Sequence, residues 1–300
     1  MAASAILLVD KPSGITSHDV VSRTRKALDT RKIGHAGTLD PMATGLLVLG
    51  VESSTRLLTF IAGLDKTYEA TIRLGIATDS DDADGVVTAR ADTTSIDADT
   101  PERIADGIAV LTGAISQVPS TVSAIKVDGR RAYDLAREGV AVELSSRDVT
   151  VSRFDVVARR DEPGVIDLDV VVDCASGTYI RALARDLGRG LGVGGHLTAL
   201  RRTHIGPFAV DGAASIDALA EAQGLAPAAA ASLVLGRLDV TDEEARALRQ
   251  GKRLTDGGER FTGAKAAAVT PDGALIGIVE RRGADAKAVM NMPYRPGVDT

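Results

Sequence analysis

Apolar and polar positions change period several times along the chain, and each change predicts an element. Ile6 to Asp10 is a short apolar run that ends at the turn signal Lys11-Pro12-Ser13-Gly14, which predicts a strand. Val20, Val21, Thr24 and Leu28 then recur at helical spacing behind Ser17 or Asp19, either of which suits an N-cap, and the basic residues of that helix turn outward. Gly34 to Gly45 is punctuated by glycine and proline and predicts a loop. Leu46 to Val51 and Tyr68 to Leu74 are rich in Val, Leu and Ile and predict buried strands.

The stretch Asp79 to Asp99 is acidic and polar and predicts a surface excursion, followed by a helix from Pro101. A Pro-Ser-Thr loop follows Gln117, then an Asp128-Gly129 hairpin signal and a short helix. Val165 to Val172 alternates as a strand does. Behind Ser176 or Thr178 as cap, Ile180, Leu183, Ala184 and Leu187 mark a helix whose Arg181, Arg185 and Arg189 form a separate basic side. Ala213 to Leu235 reads as helical. From about Arg237 the texture shifts to a short helix, Asp242 to Gln250, and strand candidates Ala266–Val269 and Leu275–Glu280 around Pro271-Asp272-Gly273. This predicts a main domain over 1–236, with an insertion at about 117–150, and a small β-rich module over 237–300.

With 300 residues, 44% of them hydrophobic, the chain is long enough for one large core and a second small one. Cys174 is the single cysteine, so an internal disulfide is excluded and a reducing, cytoplasmic setting is expected. No secretion signal precedes Asp10, and the most apolar stretch, Gly224 to Gly236, falls short of the ~20 residues a membrane span takes. The net charge of −6 argues against a nucleic-acid partner until its distribution is considered. Five basic residues and one acid lie between Arg23 and Lys32, whereas Gly75 to Asp106 carries nine acids and two arginines. Such segregation allows a basic face on an acidic protein but does not demand one; taken alone it reads first as a solvated helix face beside an acidic loop.

Walker, His-Glu-x-x-His and Gly-x-Ser-x-Gly patterns are absent, and the four histidines are scattered, so neither a metal nor a cofactor is expected. Gly190-Leu191-Gly192-Val193-Gly194-Gly195 matches the dinucleotide pattern, but it follows a helix where the fingerprint requires a strand, and it reads as a loop. The segment Gly34-His35-Ala36-Gly37-Thr38-Leu39-Asp40-Pro41-Met42-Ala43-Thr44-Gly45 is different. Pro41 disfavours helix at Asp40 and removes a backbone donor, which sets that carboxylate on an irregular, tightly turned loop. Asp-Pro is also ordinary turn chemistry, and the loop alone supports both readings.

This loop resembles the signature of the bacterial tRNA pseudouridine-55 synthases, the tRNA pseudouridine synthase B family. Four further blocks resemble that family in order: Lys11 to Ser17, Lys66-Thr67-Tyr68-Glu69-Ala70, Ser123 to Lys126 with Gly129 to Tyr133, and Ser176 to Gly188 continued by Gly195-His196 and Leu200 to Thr203. The resemblance implies an α+β fold, a mixed, mainly antiparallel central sheet flanked by helices, with a small C-terminal PUA-like β-barrel. It implies catalysis by Asp40, Arg181 as its salt-bridge partner, and Tyr68 stacked on the target base. His35 would sit where the flipped nucleotide leaves the loop, and Tyr179 and the Leu200 backbone would complete the base pocket. Taken alone, Tyr68, Tyr179 and Leu200 also read as core residues and Arg181 as a solvated helix residue.

Lys11, Lys126, Arg130, Arg201 and Arg202 are expected to meet the RNA backbone, which makes tRNA binding salt-sensitive. The implied partner is the T-stem-loop of tRNA, bound by a monomer without membrane or metal. Where the family commonly has a second proline and an aromatic after Pro119, this chain has Ser120 and Val122, a departure that bears on a stacking contact to RNA at Val122 and not on the chemistry. The rival reading is a tRNA-binding or tRNA-folding protein without catalysis. A glycoside hydrolase is disfavoured, because Asp40 has no identifiable acid partner and aromatics make up only 3% of the chain.

Overall fold

The computed structural model describes residues 3–92, 101–120, 126–127, 130–131 and 144–293. Its strands through the first half are β1 (Ala5–Lys11), β2 (Ile33–Ala36), β3 (Thr44–Val51), β4 (Lys66–Leu74), β5 (Ile76–Thr78), β6 (Val87–Arg90), β7 (Gly113–Gln117), β8 (Lys126–Val127) and β9 (Arg130–Arg131). They continue as β10 (Arg147–Glu162), β11 (Val165–Cys174), β12 (Gly195–Ile205), β13 (Phe208–Ala209), β14 (Arg237–Asp239), β15 (Lys265–Val269), β16 (Leu275–Arg282) and β17 (Asp285–Asn291). The α-helices are α1 (Ser17–Ala27), α2 (Leu58–Ala62), α3 (Pro101–Val110), α4 (Ile180–Leu191), α5 (Pro227–Leu235) and α6 (Asp242–Arg249). Two units emerge: Met1–Asp40, Gly45–Gly63 and Gly206–Thr300 form one, Pro41–Thr44 and Leu64–Ile205 the other.

In the first unit β3 is flanked by β1 and β2, both antiparallel to it. The residues Gly34 to Ala36, expected as loop, are therefore strand, because β3 offers them a free edge. Val20 and Val21 of α1 pack with Leu7, Val9, Leu47, Leu49 and Leu219 as the helical period predicts. The N-cap is Thr16 rather than Ser17 or Asp19: its hydroxyl accepts from the Asp19 amide, and Asp19 reciprocates, a capping box. Only Pro227 onward of the alanine-rich stretch forms the expected helix. Upstream, Ala214 and Leu225 bridge to β1, and Gly224 lies so close that an added Cβ would meet the Ala5 Cβ at 2.5 Å. Pairing with a strand there outweighs the helical preference of alanine, which is the highest of any residue but amounts to only a fraction of a kcal/mol per position.

The C-terminal part of this unit is the expected β-rich module. Its four strands follow the open path β14-β15-β16-β17, with a parallel first pair and antiparallel remainder. Leu238, Leu248, Phe261, Ile276 and Val279 make its own core. Thr241 and Glu244 box the start of α6.

The second unit is built on the antiparallel order β12-β4-β11-β10-β7. Because β4 is hydrogen-bonded on both sides, its alternation is strict: Lys66, Tyr68, Ala70, Ile72 and Leu74 are buried on one face. On the other, Thr67, Thr71 and Arg73 meet Asp173, Asp169 and Asp167 of β11. Helix α4 buries Ile180, Leu183, Ala184 and Leu187 and ends at Gly192, whose φ of 82° needs no Cβ. Gly188 is equally constrained, since a Cβ there would stand 2.2 Å from the Gly194 backbone. Of the glycine run expected as loop, Gly190 and Leu191 close α4, Gly192 to Gly194 form the turn, and Gly195 opens β12. Among the described residues no helix is long and apolar enough to cross a membrane. Strands β8 and β9 pair around Asp128-Gly129 as the hairpin signal predicts, and the short helix expected after them lies outside the described residues.

Candidate active site

The chain passes between the two units at the Asp40–Pro41 bond, so the residues before and after it are held by different neighbours. On the Asp40 side the support comes from α1. Ser17 is only 1% exposed, and its hydroxyl accepts from the Leu39 amide at 2.9 Å while donating to the Leu39 carbonyl at 3.1 Å. One side chain thereby fixes both polar groups of the residue that precedes Asp40. Asp40 itself is half-buried. His35 lies on β2 opposite Leu49, and its ring meets His18 of α1 edge-on, with centroids 5.7 Å apart.

Lys11 is 0% exposed, and its ammonium donates to the carbonyls of Pro12 and Ile15 at 2.9 and 2.8 Å. Its expected role at a phosphate is corrected accordingly: an ammonium with no surface holds the turn that leads into α1. Arg23, Arg25 and Lys26 of α1 are exposed, as the helical period predicts, and so are Arg31 and Lys32 on the turn after it.

On the other side of the bond, Thr44 donates to the Leu200 carbonyl and accepts from the Arg201 guanidinium, both at 3.5 Å, the outer limit of a hydrogen bond. The segment 41–44 is thus placed against the middle of β12. Leu200 and Arg202 are paired in register with Ala70 and Tyr68. Tyr68 and Leu200 are buried, and Arg201 is half-buried. Arg202 is 1% exposed, so the expectation that it meets a phosphate is also corrected: it lies within the fold, beside Tyr68 in the pairing register. Lys126 and Arg130 lie on the β8–β9 pair; their side chains are outside the description.

Two buried groups share the neighbourhood of Tyr68. Lys66 donates to the Leu64 carbonyl at 2.6 Å, and burial, reinforced by the Arg202 charge, lowers its pKa to about 8. Cys174 is paired with it in register, and burial pushes its thiol up to about 11.

Helix α4 contributes Tyr179, its half-buried N-cap residue, and Arg181. Neither Ser176 nor Thr178 caps this helix; the Thr178 hydroxyl donates to the Ala175 carbonyl instead. Arg181 is not on a solvated side. It is 3% exposed, donates to the Ser80 carbonyl at 2.9 Å, and forms an ion pair with Asp82 at 3.2 Å. Asp82 in turn accepts from the Ser80 hydroxyl at 2.5 Å and the Asp84 amide at 3.2 Å. Asp81 accepts from Ser120 at 2.6 Å and from Arg185 at 3.2 Å, and burial raises its pKa despite these partners. The supposed acidic surface excursion therefore supplies two buried carboxylates that hold the arginines of α4, because a buried guanidinium demands an anion. Composition hid them. The available signal was that Arg181 and Arg185, once buried, need anionic partners and that Asp79, Asp81 and Asp82 follow β5 directly in sequence.

Comparison with known proteins accounts for all of the described chain after β1 and the first turns of α1. The TruB family pseudouridylate synthase N-terminal domain matches residues 25–180, the tRNA pseudouridylate synthase B C-terminal domain 181–239, and the tRNA pseudouridine synthase II C-terminal region 235–293. The tRNA pseudouridine synthase B of Leifsonia xyli is 54% identical over 98% of both chains. That of Nocardia farcinica is 54% identical over 98% of this chain and 95% of its own. Among solved structures, a protein of an H/ACA RNP bound to a substrate RNA containing 2'-deoxyuridine superposes with a TM-score of 0.69 at 22% identity, covering 97% of this chain and 86% of that one. A chain of a Cbf5–Nop10–Gar1 complex gives the same TM-score at 23% identity, over 97% and 84%. At that identity the likeness concerns fold alone, and it is the fold that the five sequence blocks imply. Identity above one half over nearly the whole length, together with the three domain matches, establishes that the chain belongs to the TruB family of pseudouridylate synthases.

Proposed function

We propose that this chain converts uridine-55 in the T-loop of tRNA to pseudouridine, with Asp40 as the reacting carboxylate. The reaction breaks the C1′–N1 bond, turns the uracil and rejoins it through C5; the C5 proton leaves and N1 gains one. No redox change or energy input is involved, and no cofactor enters the proposal. A carboxylate serves such chemistry beside an electron-poor sugar carbon, as nucleophile or as base. One suffices, because the uracil is retained and no water is activated.

Arg181 is the proposed partner that keeps Asp40 ionised and directed, with Asp82 holding the guanidinium in turn. Tyr68 stacks on the extruded base, Tyr179 and the Leu200 backbone complete its pocket, and His35 lies where the nucleotide leaves the loop. Extrusion costs a few kcal/mol, which stacking and edge contacts offset. Arg201, Lys126, Arg130 and the exposed basic residues of α1 and the turn after it meet phosphates. The C-terminal module adds an RNA-binding surface, and the protein acts as a cytoplasmic monomer.

The observation that carries this reading is the near-full-length identity to chains named tRNA pseudouridine synthase B. The double hold of Ser17 on Leu39 supports it locally, since ordering a loop residue at that cost suits a loop that positions a reacting group. The test compares wild type with Asp40→Asn on unmodified tRNA, scoring pseudouridine by tritium release from C5 and affinity by filter binding. Product should vanish while binding is largely kept. An amide variant that still turns over at the normal rate would assign the reaction to a group other than Asp40.

A further inference from the structure

Gln117 is the last residue of β7 and is paired in register with Arg147, so residues 118–146 leave and rejoin the sheet on one rung. Its side chain does not face solvent. It is 2% exposed, and its primary amide pairs with both backbone polar groups of one residue: the Tyr179 amide donates to Oε1 at 2.8 Å, and Nε2 donates to the Tyr179 carbonyl at 3.0 Å. That carbonyl also accepts from Leu183 within α4, so the same residue begins the helix. Tyr179 is the N-cap residue of α4 and receives no side-chain cap from its own segment. Its amide is among the donors that a helix start leaves without an intrahelical acceptor, and Gln117 supplies one from another strand.

A second tie lies farther along the helix. Ser120 is buried and donates to Asp81, Asp81 is paired with Arg185, and Arg185 donates to the Val118 carbonyl at 2.7 Å. Residues 117–120 are therefore fastened to α4 at Tyr179 and again at Arg185, on either side of Arg181. Gln117 and Ser120 are buried, where loss of a hydrogen-bond partner is costly, while Arg185 keeps part of its surface.

We propose that Gln117 is a positioning residue for the base pocket, and that residues 117–120 form a strut that holds Tyr179 and the start of α4 in register. The proposal rests on the assignment of Tyr179 to the base pocket. The amide pair fixes the peptide groups on both sides of the Tyr179 Cα and with them the direction in which the phenol leaves the backbone; the Asp81 tie keeps the strut from sliding along the helix.

The experiment uses the full chain and unmodified tRNA, with single-turnover pseudouridine formation and tRNA affinity measured separately. Gln117→Met, which keeps the shape and removes both hydrogen bonds, should slow the reaction by tenfold or more with affinity within twofold of wild type. Gln117→Glu retains the acceptor for the Tyr179 amide and should fall between the two; it also carries the test if the methionine variant does not fold. Ser120→Ala should slow the reaction too, and adding it to Gln117→Met should cost less than the product of the single effects, because a strut released at one end transmits little at the other.

A rate within twofold of wild type in Gln117→Met, while Tyr179→Ala is impaired, overturns the strut. So does a parallel fall of rate, affinity and melting temperature, which marks a merely structural contact. Normal turnover by Tyr179→Ala removes the pocket assignment and the proposal with it.

Discussion

Replacing Asp82 by Asn tests the electrostatics of the site most directly. The substitution keeps the shape, and the amide oxygen still accepts from Ser80 and the Asp84 amide. What changes is the group facing Arg181. A guanidinium 3% exposed then faces a neutral amide where a carboxylate stood 3.2 Å away. Removing one partner of a buried ion pair costs about 3 to 5 kcal/mol, and the conserved shape puts this case at the lower end. A loss of about 3 kcal/mol lowers the folded-to-unfolded ratio roughly 150-fold. Urea unfolding followed by far-ultraviolet circular dichroism reads it, a suitable probe for a chain without tryptophan. The control is Asp82→Asn combined with Arg181→Met. Removing the charge with its partner should recover most of the lost stability, though not activity, because the guanidinium is then absent. If Asp82→Asn unfolds within about 0.5 kcal/mol of wild type, or if the double variant is as unstable as the sum of its parts, the pair does not hold the site as argued here.

Ser17→Ala leaves the Leu39 amide and carbonyl buried without their hydroxyl partner, a cost of about 1 to 3 kcal/mol. The structural consequence falls on the residue next to Asp40, so the turnover rate should drop while tRNA affinity holds; loss of affinity with unchanged turnover would contradict this. Lys66 has a folded pKa of about 8, below its ordinary 10.5, so the unfolded chain binds more protons between those values and stability rises with pH across that window. Above about 9 the Cys174 thiol, raised to about 11, works in the opposite direction, because there the folded state keeps a proton that the unfolded state has lost. Denaturant titrations of wild type should therefore show a gain from pH 8 to about 9 that flattens beyond, absent in Lys66→Met and prolonged in Cys174→Ala. A curve unaffected by Lys66→Met would show that the ammonium is solvated.

Local order was legible in the chain wherever a period of two or 3.6 residues met its own punctuation. β1 stops at Lys11-Pro12-Ser13-Gly14, α1 turns Val20 and Val21 inward, and the glycine run after α4 is a helix stop, all from contacts within a few residues. The motif blocks were legible for the same reason, since each is a short contiguous stretch. Burial of charge was not. Arg181 reads as one member of an outward basic stripe, and only the approach of Ser80, 101 residues earlier, and of Asp82 makes a dry site where a guanidinium is stable.

The same reason separates Ser17 the cap candidate from Ser17 the clamp. A hydroxyl at the start of a helix is claimed by whichever backbone comes closest, and here that is Leu39, 22 positions away, while Thr16 takes over the cap. Ala213 to Leu235 shows the converse: its composition favours helix, and pairing with β1 at Ala214 and Leu225 decides otherwise before Pro227. Amino-acid order by itself determined the elements and the reactive candidates, because those depend on near neighbours. Which polar side chains leave water, and which partners neutralise them there, depends on distant segments meeting, and only the tertiary structure decides that.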